Sequence, residues 1–156
     1  MWEQQIRAFG HYLRLERSLS DNSVEGYLAD VHKLSQFTAL RYNDLRPVQV
    51  TPDVLRSFLE YVNELGLSAH SQARILSALK SFYRYLMFDG MLENDPTKLI
   101  EGPKLGRKLP DTLSFPEIEK LLDAIDLSTP EGARNRAMLE VLYSSGLRVS
   151  ELIDLR

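Results

Sequence analysis

A turn late in the chain places an arginine where an anion could bind. Residues 144–147, Ser-Ser-Gly-Leu, precede Arg148, and an apolar stretch with helical spacing follows it. A guanidinium offers two parallel N–H donors that match the oxygens of a phosphate, and a helix N-terminus adds unpaired backbone N–H groups. The pattern therefore favours Arg148 as a phosphate-binding residue.

Glu151 follows Arg148 at a spacing of three residues, which places the two side chains on neighbouring faces of a helix. Its carboxylate could hold the guanidinium in place when no anion is bound. The alternative is a surface ion pair of little energetic consequence. The apolar helix runs to Leu155, next to the end of the sequence, which favours a piece of a longer protein; any partners of Arg148 in chemistry are then expected outside this sequence.

A second candidate surface lies on a helix expected between Ser68 and Gly90. The apolar residues of this helix share one side: Ile75, Leu76, Leu79, Phe82, Tyr83 and Leu86. The opposite side has cations and hydroxyls, with one lysine at its edge: Arg74, Ser77, Ser81, Arg84 and Lys80. Such side chains bond phosphate oxygens, and arginine can also read guanine. The alternative is an ordinary solvated face.

Composition limits the remaining functional classes. The chain has 156 residues, of which 44% are apolar, and its formal net charge is −3, so a nucleic-acid surface must be local. The absence of cysteine excludes disulfides, and His11, His32 and His70 have no metal-ligand spacing. We predict no metal and no cofactor. No apolar run approaches the roughly 20 residues of a membrane span and no secretory signal is present, which predicts a cytoplasmic protein without membrane contact.

The candidate residues must be positioned by helices, because apolar residues recur at helical spacing along most of the chain. This pattern predicts a mainly α fold. Four N-terminal helices are expected over these stretches: Trp2 to about Arg17, 20–22 to about Leu40, Thr51 to Gly66 and Ser68 to Gly90. Asn22 and Glu25 have the spacing of a capping box at the start of the second helix. Asp95-Pro96 predicts one further short helical turn.

Glycines, prolines and cations are concentrated in residues 101–110, which predicts a linker. Lys104, Arg107 and Lys108 either follow a DNA backbone there or keep the linker soluble. Beyond it, Ser114 and Glu117 form a capping box, and two or three more helices follow. The expected division is a helical domain at 1–102, a basic linker at 103–112 and the start of another domain at 113–156.

In this order, these segments resemble the tyrosine site-specific recombinases of the Xer and phage-integrase type. The matching stretches are 20–27, 74–80, Phe82, 85–86, 94–96, 109–110 with 113–114, and 134–152. The resemblance spans the whole chain. It implies a four-to-five-helix SAM-like core-binding domain, a linker, and the first helices of a truncated mixed α/β catalytic domain; the two domains clamp duplex DNA.

The resemblance also implies a chemistry. Such enzymes use two arginines, a lysine, two histidine-type positions and a tyrosine that forms a 3′-phosphotyrosyl link to DNA, without metal or high-energy cofactor. Only the first arginine matches, at Arg148. All seven tyrosines precede Arg148, so no nucleophile is assigned and the chain is expected to be inactive alone. The complete protein is expected to act as a tetramer on two duplexes, and this chain to be a monomer.

The resemblance favours DNA as the ligand of the helix at 68–90. It also makes the second helix a weaker candidate, through Ser20, Asn22, Ser23 and Lys33. A non-catalytic helical module that binds DNA or protein remains the alternative, because a fold by itself does not determine a function.

Overall fold

The computed structural model describes residues 2–43, 45–106 and 111–155. These residues form seven α-helices and a short 3-10 helix, and none of them lies in a strand. The helices are α1 (Trp2–Leu15), α2 (Asp21–Arg41), the 3-10 helix (Pro47–Gln49), α3 (Pro52–Glu64), α4 (Ala69–Phe88), α5 (Phe115–Asp123), α6 (Pro130–Ser145) and α7 (Val149–Ile153). The mainly α prediction is confirmed, and no mixed α/β part is visible in the described residues.

Four of the helices, α2, α3, α4 and α6, begin after a residue whose side chain accepts a bond from an unpaired backbone N–H group. Thr51, where the third helix was expected to begin, is the cap of α3 and accepts from Val54 N at 3.4 Å. The helix α2 lies where it was predicted, but the predicted capping box at Asn22 and Glu25 is wrong, because Ser20 is the cap and accepts from Ser23 N at 3.4 Å. A helix that begins at Asp21 has more backbone hydrogen bonds than one that begins after Asn22, which favours Ser20 as the cap.

By its internal contacts the chain divides into two units, Met1–Gly106 and Arg107–Arg156. In the first unit α4 packs against α1, α2 and α3. Its apolar face is buried as predicted, and the ring of Phe82 contacts those of Phe9 and Trp2, with centroids 5.3 and 6.0 Å apart. This packing fixes the rotation of α4 and so determines which residues its other face displays.

Two further contacts complete the first unit. The indole Nε1 of Trp2 donates to Leu45 O at 2.8 Å. Residues 96–99 form a single turn, as predicted, which does not continue as a longer helix. Asp95 Oδ1 caps this turn by accepting from both the backbone N and the hydroxyl of Thr97, at 2.7 and 2.6 Å. The first unit therefore has four α-helices among its described residues.

The second unit contains α5, α6 and α7. The predicted capping box is present at the start of α5, where Ser114 N donates to Glu117 Oε2 at 2.7 Å. Gly146 ends α6 with φ of +66°, a left-handed conformation that glycine adopts without steric cost. The chain then turns through Leu147 and Arg148 into α7.

Candidate nucleic-acid interface

The polar face of α4 lies on the surface of the first unit. Arg74, Ser77 and Arg84 are exposed, and Lys80 and Ser81 are half-buried. The hydroxyl of Ser77 donates to Ala73 O at 3.0 Å, which leaves its oxygen lone pairs as acceptors. Among the described residues Lys80 and Arg84 form no ion pair, so no carboxylate in contact compensates either charge.

Arg74 is paired across two helices. Its Nη1 donates to Asp30 Oδ2 at 2.6 Å, and Lys33 Nζ donates to Asp30 Oδ1 at 2.7 Å. The Asp30 side chain is fully buried, whereas those of Arg74 and Lys33 remain 54% and 42% exposed. One carboxylate of α2 therefore fixes a cation from each helix at the surface.

Sequence reasoning missed Asp30, although the sequence contains a signal for it. The residue lies three positions after Tyr27 and four before Leu34, inside the apolar stripe of α2. A carboxylate at a core position requires a cationic partner. Of its two partners, Lys33 is within local reach at a spacing of three residues, whereas Arg74 is 44 residues away and cannot be identified from local spacing.

The other three candidates from the second helix, Ser20, Asn22 and Ser23, lie at the start of α2. Ser20 and Ser23 are exposed, and their hydroxyl oxygens are 3.0 Å apart at the helix start. Asn22 is exposed in the first turn. A Cβ added at Gly26 would lie 3.8 Å from Arg74 Nη1, so the guanidinium lies over the backbone of α2. The structure thus places the candidates from α2 and α4 on two contacting helices.

In the second unit Arg148 is the N-cap of α7. Its backbone N donates to Glu151 Oε2 at 2.7 Å, and its Nη1 donates to Glu151 Oε1 at 3.0 Å. The predicted Arg148–Glu151 contact is present, and the same carboxylate also takes one backbone N–H group at the helix start, that of Arg148. The Arg148 side chain is 83% exposed, so an incoming phosphate can reach it.

The hydroxyls before Arg148 point elsewhere. Ser144 Oγ donates to Val141 O at 3.2 Å, and Ser145 Oγ donates to the same carbonyl. Both hydroxyls bond the last turn of α6, so neither bonds Arg148. Of the linker cations, Lys104 is exposed. Arg107 and Lys108 lie outside the described residues.

The described residues, 2–43, 45–106 and 111–155, include neither a membrane-spanning helix nor a cluster of metal ligands. No helix there combines the length and apolarity needed to cross a bilayer. In the same ranges no group of three or more metal-ligating side chains is close enough to hold an ion. His32 Nδ1 lies 3.5 Å from Glu3 Oε1, which is a contact between α1 and α2.

Two protein-family models match the chain. The N-terminal SAM-like domain of phage integrases matches residues 6–90, and the phage integrase family model matches residues 111–156. Three relatives are each called tyrosine recombinase XerD. They come from Pseudomonas aeruginosa (45% identical, over 96% of this chain), Yersinia pestis (41%, over 96%) and Listeria monocytogenes (38%, over 97%). The aligned region covers 50%, 50% and 51% of those proteins, so the chain spans about half their length.

Proposed function

This chain belongs to the phage integrase family of tyrosine recombinases, and we propose that it binds duplex DNA through a surface formed by α2 and α4. This α2–α4 surface comprises Ser20, Asn22, Ser23 and Lys33 from α2, and Arg74, Ser77, Lys80, Ser81 and Arg84 from α4. The complete protein would break and rejoin DNA strands through a 3′-phosphotyrosyl intermediate. The chain itself would provide DNA binding and the first arginine of the active site.

The observation that supports this proposal best is the arrangement of the four cations. Lys33 and Arg74 are fixed by one buried carboxylate, while Lys80 and Arg84 are unpaired among the described residues and lie on the same helix as Arg74. Paired cations with fixed positions favour defined phosphate contacts, and free cations favour general attraction to the DNA backbone. Hydroxyls between them can bond further phosphate oxygens.

Arg148 has a separate role in the proposal. As tyrosine attacks a scissile phosphodiester, charge grows on the non-bridging oxygens, and an oriented guanidinium stabilises it. Lysine would offer a point charge instead of a planar fork. Glu151 would hold the Arg148 side chain until a phosphate binds, and the guanidinium has N–H groups besides Nη1 to offer.

The remaining parts of the proposal follow from the family. Residues 1–102 would form the core-binding domain, 103–112 a linker along the DNA that includes Lys104, Arg107 and Lys108, and 113–156 the start of the catalytic domain. The complete protein would assemble as a tetramer on two duplexes in the cytoplasm. This chain would be monomeric and would not cleave DNA. A covalent DNA–protein adduct formed by the 156-residue chain on a nicked duplex would contradict this last point.

The α2–α4 surface is tested by removing two of its cations. We expect Arg74→Ala/Arg84→Ala to bind a labelled random-sequence duplex about tenfold or more weakly at low salt, because two charge-assisted phosphate contacts are lost. The slope of log K against log salt should decrease in magnitude by about 2. Fluorescence anisotropy across a salt series measures both quantities.

The matched control is Arg7→Ala/Arg56→Ala, which removes the same charge from exposed positions on α1 and α3. It should retain nearly the wild-type affinity and slope. If the α4 variant also retained them, α4 would not belong to the interface.

A further inference from the structure

Asp30 is the buried carboxylate at the centre of the α2–α4 surface. We propose that Asp30 is a positioning residue for DNA binding, which orients Arg74 and Lys33 toward the phosphate backbone and limits their attraction to DNA of any sequence. The inference rests on the proposed function of this surface. It assigns a role to a buried acidic residue beneath a surface whose candidate DNA contacts are cations, hydroxyls and one amide.

The burial of Asp30 is the first argument. Its side chain is fully buried and bonds one cation from each helix, at 2.7 Å to Lys33 and 2.6 Å to Arg74. Taking a carboxylate out of water costs several kcal/mol, and well-packed apolar residues often replace buried ion pairs without loss of stability. An apolar residue would continue the stripe of α2 at this position. Stability alone therefore does not account for a carboxylate here.

The position of the Arg74 guanidinium is the second argument. Among the described contacts its only hydrogen bond uses Nη1, so Nε and Nη2 keep their donors for a ligand. The guanidinium lies over α2, because a Cβ atom added at Gly26 would be only 3.8 Å from Arg74 Nη1. An arginine already held between two helices loses less side-chain entropy when it binds a phosphate.

The charge balance is the third argument. Lys33 and Arg74 together have two positive charges, and Asp30 reduces this to one at the same place. The salt-dependent, sequence-independent part of DNA binding grows with the number of phosphates neutralised. Asp30 therefore weakens general attraction while it orders the two side chains that make defined contacts.

The two effects separate in the salt dependence of the Asp30→Asn variant, which has a neutral side chain of nearly the same size. We expect its plot of log K against log salt, on a random-sequence duplex, to be steeper than that of the wild type by up to about 0.9. Loss of the oriented guanidinium should make it about threefold to tenfold weaker at high salt, the equivalent of one hydrogen bond. The two lines should therefore cross. A purely structural role would lower affinity at every salt concentration and leave the lines parallel.

Asp53→Asn is the matched control, because Asp53 pairs with Arg56 at an exposed site on α3 and its loss changes the net charge equally. Its line should coincide with that of the wild type. If the wild type binds and Asp30→Asn behaves like Asp53→Asn, this inference is overturned and the proposed function stands. If the wild type does not bind the duplex at low salt, both fail.

A second variant covers the case in which Asp30→Asn does not fold, as judged by far-UV circular dichroism. Arg74→Lys keeps the charge and a donor for Asp30 but loses the free Nε and Nη2 groups. We expect the wild-type salt slope with an affinity severalfold lower. An Arg74→Lys variant that binds like the wild type would overturn the inference.

Discussion

The two units of this chain differ in how much apolar surface they bury. In the first unit, α1 to α4 enclose a continuous core, and the largest fully buried side chains of the described residues all lie there. In the second, no residue of α5 is buried, and the only buried residues of α6 and α7 are Gly132 and Leu152. The first unit therefore buries its apolar side chains in a hydrophobic core, whereas the described helices of the second unit leave most of theirs exposed.

The sequences of the two units do not explain this difference. Ile118, Leu121 and Leu122 have the same helical spacing as the core residues of α4, and the capping box of α5 is formed. Most of the stability of a short helix comes from packing its apolar face rather than from its caps. Residues 111–155 therefore show local structure that still lacks tertiary burial, so we expect the second unit to be the less stable of the two.

The largest expected effect comes from truncating one phenylalanine in each unit. Phe58 is fully buried and its ring centroid lies 5.4 Å from that of Phe37, whereas Phe115 is 57% exposed. Phe58→Ala should lower the free energy of unfolding by about 3–5 kcal/mol, and Phe115→Ala by less than about 1 kcal/mol. Urea titration followed by Trp2 fluorescence measures the first unit, because Trp2 is the single tryptophan and is buried there.

Circular dichroism at 222 nm provides the companion measurement, since it responds to the helices of both units. If Phe115→Ala lowered the free energy of unfolding as much as Phe58→Ala does, the second unit would have a hydrophobic core that contributes similarly to stability. The comparison between the units would then be wrong.

Much of the fold was predictable because helical periodicity is a local property. The apolar face of α4 and the caps at Thr51 and Ser114 follow from residues within one or two turns of each other. The short turn after Asp95 was predictable for the same reason, because a carboxylate before proline is a local signal. The capping residue of α2 was not predictable, because Ser20 and Asn22 are both good caps and spacing alone does not rank them.

The candidate site was less predictable, because its key contact is not local. The spacing of Arg148 and Glu151 predicts their contact, since both lie on one helical turn. The contact between Asp30 and Arg74 depends on how α2 packs against α4, which the sequence pattern does not specify. The stripe of α2 indicated which side is buried, but not that one buried residue would bind cations.

A smaller expected effect is a difference between the two units in how their free energy of unfolding depends on pH. Burial, with a further contribution from Asp95, raises the pKa of the Tyr83 phenol far above its ordinary value. The folded state keeps this phenol neutral, whereas the unfolded state ionises near pH 10. The stabilisation is therefore fully present below about pH 10. It is lost at up to about 1.4 kcal/mol per pH unit as pH rises further.

Tyr83→Phe tests this assignment. The variant should lose about 0.5–1.5 kcal/mol at neutral pH, because the hydroxyl donates to Pro47 O at 3.3 Å. Between pH 10 and 11 its stability should fall less steeply than that of the wild type, in urea titrations followed by Trp2 fluorescence. Some slope should remain, because burial also raises the pKa of Tyr85. An unchanged slope would show that Tyr83 is not the responsible group.

The second unit should contribute little to this alkaline response. Hydrogen bonds from Ser114 and Ser128 lower the pKa of two exposed carboxyl groups there, Glu117 and Asp126 respectively. Groups of this kind stabilise the folded state above their ordinary pKa and lose that effect as pH falls. The alkaline transition is therefore a property of the first unit.

The smallest expected effect concerns the arginine that matches the family active site. Arg148 forms an exposed ion pair with Glu151, so the local charge of the pair is zero. We expect Arg148→Ala to change the affinity of this chain for a random-sequence duplex by less than about twofold, with little change in salt slope. The α2–α4 surface would then account for nearly all DNA binding, measured by the same anisotropy assay.

Glu151→Gln sharpens this last comparison, because it leaves the guanidinium of Arg148 without its carboxylate partner. If Arg148 can reach a phosphate of the bound duplex, freeing it should steepen the salt slope by up to about 0.9. Arg148→Ala/Glu151→Gln is the matched control and should return the slope to the wild-type value, because the steepening requires the guanidinium. An Arg148→Ala variant as weak as Arg74→Ala/Arg84→Ala would instead place the second unit in the DNA interface of the isolated chain. The division between a DNA-binding first unit and a second unit that provides only a catalytic arginine would then be wrong.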